Sequence, residues 1–99
     1  MVGSDNDMQF PDVGKRLVKI RTLAGFGGRK QAKFAESIGT DKNTYNRWER
    51  GAPPPVQKAL LLIEAVKGRL PGLTLDYIYR GDRRGLSFAL LEVLGPEDD

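Results

Sequence analysis

The segment from residue 31 to 51, QAKFAESIGTDKNTYNRWERG, constrains the fold more than any other part of the chain. Apolar residues recur at helical spacing on both sides of Gly39, which predicts two short helices joined there. Glycine suits the joint because it adopts a positive φ without steric cost, and this conformation ends a helix and turns the chain sharply. Ala35 lies four residues earlier, where a small side chain allows the second helix to cross closely. We therefore predict a helix-turn-helix.

The second of these helices has two different faces. Asp41 or Thr40 can cap it by accepting from its free backbone N–H groups. At about 100° per residue, Tyr45 and Trp48 lie on one side and predict the packed face. The other side carries long side chains with many donors: Lys42, Asn43, Asn46, Arg47 and Arg50. Such residues often do no more than solvate a helix, but with the Ala-Gly-aromatic spacing they favour reading of the DNA major groove.

The segment resembles the Cro/phage-repressor class of helix-turn-helix regulators, also called the xenobiotic-response-element family. The matching positions are Gln31, Phe34, Ala35, Gly39, Trp48, Glu49, Arg50 and Gly51. The resemblance continues to the segment TLDYIYRGD, residues 74–82, and so covers roughly residues 12–82. It implies an all-α, lambda-repressor-like domain of five or six helices that binds double-stranded DNA.

The resemblance, together with the outward face, assigns roles to individual residues. The residues expected to form the helix-turn-helix framework are Phe34, Ala35, Gly39, Tyr45, Trp48, Arg21 and Glu49. The expected DNA contacts are Lys42, Asn43, Asn46 and Arg47 to bases and Gln31, Thr44 and Arg50 to phosphates. Arg21 lies among the core positions of the first helix, and the resemblance implies that it pairs with Glu49. The alternative is an exposed arginine, because a buried unpaired charge would be too costly.

Three positions depart from the family's pattern. The link GGRK, Gly27 to Lys30, is longer than usual. Lys30 stands where a serine or threonine normally caps the next helix, so that helix should start without a side-chain acceptor. Tyr45 replaces an aliphatic residue, and its hydroxyl needs a partner if the ring is buried.

Composition narrows the class of protein. The 99 residues suffice for one modest helical core, and the chain contains neither cysteine nor histidine. Without these common nucleophiles, bases and metal ligands we expect no enzyme and no cofactor. With no apolar run near 20 residues and an acidic, polar N-terminus, we expect a cytoplasmic protein without a membrane segment. Residues 14–50 hold ten Lys or Arg against three acids, which favours an anionic partner.

The chain divides into three predicted regions: a disordered arm over 1–9, the helix-turn-helix DNA-binding domain over 10–82, and a C-terminal part over 83–99. The last region consists of an apolar segment, which can form a dimer contact, and an acidic tail, Glu97 to Asp99. The first helix is expected from Asp12, as its cap, to about Leu23, with its core side at Val13, Leu17, Ile20 and Ala24. Pro55 suits the first turn of a fourth helix. The buried stripe of that helix is predicted to be Val56, Ala59, Leu60, Ile63 and Val66. Thr74 is predicted to cap a fifth helix, which Gly81 ends.

The segment from Leu86 to Leu94 is apolar on nearly every face. Capping by Ser87 favours a helix, although a strand fits so short an apolar run. It is expected to be buried, either in the core of the monomer or in a homodimer interface through Phe88, Leu90, Leu91 and Leu94. The function expected is a transcriptional repressor that binds a palindromic operator as a homodimer. The alternative is the antitoxin of a toxin–antitoxin pair, whose apolar C-terminal segment would cover a partner protein.

Overall fold

In the computed structural model, residues 12–96 are described, and within them the chain forms six α-helices and no strand. The helices are α1 (Val13–Arg21), α2 (Gln31–Ser37), α3 (Lys42–Glu49), α4 (Val56–Val66), α5 (Leu75–Arg80) and α6 (Phe88–Leu94). The all-α class with five or six helices is thus confirmed. The predicted N-terminal arm and the acidic tail at 97–99 lie outside the described residues.

One hydrophobic core joins all six helices. It includes side chains from α1 (Leu17), from the helix-turn-helix (Phe34), from α5 (Ile78) and from α6 (Leu90). Because a chain of this size has enough apolar side chains for only one such core, each helix depends on the others for burial.

The first helix differs in detail from the prediction. It is α-helical only to Arg21 and continues as a wider π-type turn through Thr22–Phe26, inside which Gly25 has φ +97°. Asp12 occupies the N-cap position, but its side chain makes no cap hydrogen bond, so the predicted side-chain cap is wrong. Its backbone carbonyl instead accepts from the Arg16 N–H at 3.1 Å.

The longer link between α1 and α2 is ordered. Gly28–Lys30 forms a 3₁₀ turn, and the Arg21 Nη1 donates to the carbonyls of Phe26 at 2.6 Å and Gly28 at 3.3 Å. Lys30 precedes α2 without a side-chain cap bond, as the sequence predicted. A residue of α1 therefore supports the link by satisfying its backbone.

Arg16 joins α1 to the C-terminal end of α5. Its Nε donates to the carbonyl of Ile78 at 2.9 Å and its Nη2 to that of Tyr79 at 3.0 Å. The last carbonyls of a helix lack partners within the helix, and a guanidinium can supply them. Burial lowers the pKa of Arg16 from its usual value, although nearby Tyr77 and Asp12 act in the opposite direction. Thr74 and Gly81 cap and end α5 as predicted.

The buried face of α4 is rotated from the predicted stripe. Leu62, absent from the prediction, is buried together with Ala59 and Val66. Val56 and Leu60 are instead 53% and 50% exposed. Pro55 precedes the helix at the N-cap position and does not lie within its first turn.

The C-terminal segment is a helix that packs within the monomer. Leu86, Leu90 and Leu94 belong to the common core, and Ser87 caps α6 by accepting from the N–H of Leu90 at 3.1 Å. The prediction that Leu90 and Leu94 offer a dimer surface is therefore wrong, because their side chains are 1% and 2% exposed. Phe88 remains 76% exposed, and Leu91 packs partly against the core.

Candidate nucleic-acid interface

The turn between α2 and α3 has the geometry that the sequence predicted. Gly39 has φ +77°, which an L side chain rarely adopts. The N–H of Thr40 donates to the carbonyl of Ala35 at 3.0 Å, and that of Gly39 to the carbonyl of Glu36 at 3.1 Å, so these two carbonyls at the end of α2 are satisfied. Lys58 of α4 donates through Nζ to the carbonyl of Gly39 at 2.6 Å, which holds the turn from the other side.

The N-terminus of α3 is fixed by Asp41. Its Oδ1 accepts from the N–H of Thr44 at 2.7 Å, which satisfies one of the free donors at the start of the helix. This hydrogen bond lowers the pKa of Asp41 from its ordinary value. The cap helps to set the direction in which α3 leaves the turn.

The packed side of α3 consists of aromatic residues. Tyr45 is fully buried between Phe34 and Trp48, with ring centroids 5.4 Å and 5.6 Å away and both pairs close to edge-to-face. Its hydroxyl has the required partner, since it donates to the carbonyl of Leu17 at 3.5 Å. Burial raises the pKa of Tyr45 well above its usual value, so the ring remains neutral. The aromatic contacts thus fix the rotation of α3 about its axis.

The opposite side of α3 faces solvent. Lys42, Asn43, Arg47 and Arg50 are exposed, whereas Thr44 and Asn46 are half-buried. No side-chain hydrogen bond occupies Lys42, Asn43, Arg47 or Arg50 within the described part of the chain. Their donors are therefore available to an external ligand.

A buried ion pair locks α3 to α1. Arg21 Nε lies 2.7 Å from Glu49 Oε2, and Nη2 lies 3.3 Å from Oε1, with both side chains less than a tenth exposed. The hydrogen bond to Glu49 raises the pKa of Arg21, so the guanidinium stays charged. The predicted pairing of Arg21 with Glu49 is thus present, and the exposed alternative is excluded.

Gln31 has partners that the sequence did not predict. Its Nε2 donates to Glu49 Oε1 at 2.9 Å and to Asn46 Oδ1 at 3.2 Å. The amide nitrogen of Gln31 is therefore not the free donor that the predicted phosphate contact requires. Through these two hydrogen bonds, Gln31 of α2 is connected to Glu49 and Asn46 of α3.

Sequence reasoning also missed Gly14. A Cβ built at this position of α1 would lie 2.1 Å from the carbonyl oxygen of Glu49, so only glycine allows α1 and α3 to approach this closely. The available signal was a glycine in the first turn of the predicted helix, where close packing of another helix can require it.

The described residues contain no group of three or more acidic, histidine or cysteine side chains that could hold a metal ion. Among the same helices, none is long and apolar enough to cross a membrane.

Comparison with known proteins agrees with this geometry. Residues 27–73, just under half of the chain, match a family model described as helix-turn-helix. No curated protein and no solved structure matches significantly. The matched segment contains α2, α3 and α4, together with the turn at Gly39 and the outward face of α3. Over these residues the chain is similar to the helix-turn-helix domains of the Cro/phage-repressor type, a class of DNA-binding transcription regulators.

Proposed function

We propose that the chain is a sequence-specific transcriptional repressor that inserts α3 into the DNA major groove and binds a palindromic operator as a homodimer. The observation that carries the proposal is the unoccupied donor face of α3, held in a fixed orientation by the Asp41 cap and the buried Arg21–Glu49 pair. Occlusion of a promoter by such a dimer needs no cofactor.

Within this face, Lys42, Asn43 and Arg47 are proposed to read bases, because arginine and lysine suit guanine and asparagine suits adenine. Arg50 and Thr44 are proposed to hold phosphates, which fixes the register of the protein on DNA without carrying sequence information. Selection of bound sequences from random DNA would supply the operator and test sequence specificity directly.

Arg47→Ala and Asn43→Ala are each expected to weaken binding to the selected operator by about 1–3 kcal/mol and to leave binding to random DNA nearly unchanged. The reason is that a base contact distinguishes sequences, whereas phosphate contacts do not. Fluorescence anisotropy with both DNAs at one salt concentration measures the difference.

Arg80→Ala is the matched control, since Arg80 is exposed on α5 and its loss removes the same charge. Equal losses for operator and random DNA in Arg47→Ala would show that Arg47 does not read a base.

The proposed dimer uses the exposed face of α6. Phe88 is 76% exposed and Val93 is 47% exposed on a short helix whose other side is anchored in the core. A two-fold axis near α6 would fix the separation of two recognition helices, which must be about 34 Å for successive major-groove faces.

Phe88→Asp is expected to convert the dimer to a monomer at micromolar concentration and to reduce operator affinity to that of a half-site. The charge destabilises a buried interface but costs little on a solvated helix face. Sedimentation velocity and binding to full and half operators measure both effects. Leu60→Asp on α4, where the side chain is 50% exposed, is the matched control. If Leu60→Asp dissociates the dimer and Phe88→Asp does not, the dimer interface lies on α4 and not on α6.

The antitoxin alternative rests on the same exposed apolar residues of α6. In that case Phe88 contacts a different protein, and the chain represses its own promoter. Purification with the product of the neighbouring gene distinguishes the two: a stoichiometric complex that Phe88→Asp abolishes supports the antitoxin.

A further inference from the structure

The side chains of Glu49, Gln31 and Asn46 form a chain of hydrogen bonds whose direction is set by chemistry. A carboxylate only accepts, so the atom of Gln31 that faces Glu49 Oε1 at 2.9 Å must belong to the NH₂ group. The same nitrogen lies 3.2 Å from Asn46. Because that nitrogen only donates, the atom of Asn46 that faces it must be the carbonyl oxygen Oδ1.

The chain of hydrogen bonds begins in the core. The side chain of Glu49 is buried beside Arg21, whose Nη1 is bound to the backbone of the α1–α2 link. Reversal of the Gln31 amide would place its oxygen against the carboxylate, with two lost hydrogen bonds and a repulsive contact. The buried ion pair therefore determines the orientation of an amide at the surface of α3.

The nitrogen of Asn46 is the end of this chain. In the described part of the protein, no buried side-chain nitrogen or oxygen lacks a hydrogen-bond partner. Nδ2 of Asn46 has no partner among the described residues, so it must reach solvent. Lys42 lies four residues before Asn46 on the same face of α3, Arg50 lies four residues after it at the C-cap, and both are exposed.

We propose that Gln31 is a positioning residue that fixes the Asn46 amide with its nitrogen outward, so that Asn46 selects guanine at the base pair it meets. This inference rests on DNA reading by α3, as proposed above. An unconstrained asparagine recognises adenine because it offers both an acceptor and a donor. Here the acceptor is engaged by Gln31. The N7 and O6 atoms of guanine both accept, whereas adenine presents a donor beside its N7.

The hydrogen-bond chain can be tested in the free protein. Both side-chain amide hydrogens of Gln31 are expected to exchange with water more slowly than those of Gln57, which is exposed on α4. Asn46→Ala should accelerate exchange at Gln31 and leave Gln57 unchanged. Exchange at Gln31 as fast as at Gln57 in the unaltered protein would overturn the proposal without any experiment on DNA.

The reading of guanine is tested by selecting bound sequences from random DNA. Asn46→Ala identifies the position that Asn46 reads, where the unaltered protein should prefer guanine over adenine about tenfold. Gln31→Ala should reduce this preference to near unity at that position only, with the helical content of the protein unchanged. Asn46→Asp retains the acceptor for Gln31 but presents an oxygen outward, so the preference should change to cytosine, whose N4 donates.

A preference for guanine that survives Gln31→Ala would overturn the positioning role. Equal weakening of all sequences by Gln31→Ala would assign Gln31 to a phosphate and would also overturn it. Failure of the unaltered protein to select any sequence would refute the proposed function, while slow amide exchange at Gln31 would still establish the hydrogen-bond chain.

Discussion

Replacing Glu49 with alanine is expected to reduce the free energy of unfolding by about 3–5 kcal/mol, the loss typical when one partner of a buried ion pair is removed. Arg21 would keep its charge in a site where its side chain is less than a tenth exposed, and Gln31 would lose an acceptor as well. Because domains of this size are stable by only about 5–15 kcal/mol, this loss is a large fraction of the total free energy of unfolding.

Chemical denaturation followed by circular dichroism measures the effect. Glu64→Ala provides a matched control, because Glu64 pairs with Lys67 on α4 while both side chains are about two-thirds exposed. An exposed pair of this kind contributes less than about 1 kcal/mol. If the two variants have similar denaturation midpoints, the Arg21–Glu49 pair does not contribute the stability expected of a buried ion pair.

Gly14→Ala is expected to destabilise the fold by roughly 3 kcal/mol, at the upper end of the usual cost of overpacking. The added Cβ would lie 2.1 Å from the carbonyl oxygen of Glu49, which is backbone and cannot rotate away. The two helices must therefore separate, and this weakens the nearby ion pair and the packing of Tyr45. DNA affinity should fall with stability, because the direction of α3 changes.

Gly68→Ala is the control for the same chemical change. Gly68 has no positive φ, and a Cβ there would meet nothing within 4 Å. Because alanine has fewer conformations than glycine in the unfolded chain, this variant should have an unchanged free energy of unfolding or be more stable by about 0.4–1 kcal/mol. A melting temperature for Gly14→Ala equal to that of Gly68→Ala would contradict the close approach of α1 and α3.

Local signals in the sequence predicted most helix ends, although the Asp12 side chain does not cap α1. Gly39 and Gly81 are in the left-handed region, and Asp41, Thr74 and Ser87 all cap the helices that follow them. These features depend on a few neighbouring residues, so the sequence contains nearly all the information they require.

Features that depend on distant packing were predicted less well. The run from Ala59 to Ile63 is apolar at every position, so helical periodicity alone cannot decide whether Leu60 or Leu62 faces the core. In the folded protein α4 packs against α5, and Leu62 is buried while Leu60 is half exposed. The same limit applies to α6, where the apolar pattern is compatible with both a core helix and an interface.

Among the long-range side-chain contacts, the sequence predicted only the pairing that the resemblance supplied. Arg21 and Glu49 meet as the resemblance implied. Arg16 donates to carbonyls 62 and 63 residues away, and Gln31 binds Asn46 and Glu49. No local pattern specifies such partners, because they follow from how separate helices come together.

The separation of supporting and outward residues on α3 has an evolutionary consequence. Lys42, Asn43 and Arg47 are exposed and make no side-chain hydrogen bond among the described residues. In contrast, Tyr45 and Trp48 pack in the core, and Glu49 pairs with Arg21. Mutations at the first three positions therefore cost little stability and leave the helix in place. With the base contacts proposed above, new operator sequences can be acquired one base pair at a time at these positions, while a change at Asn46 also disturbs its hydrogen bond to Gln31.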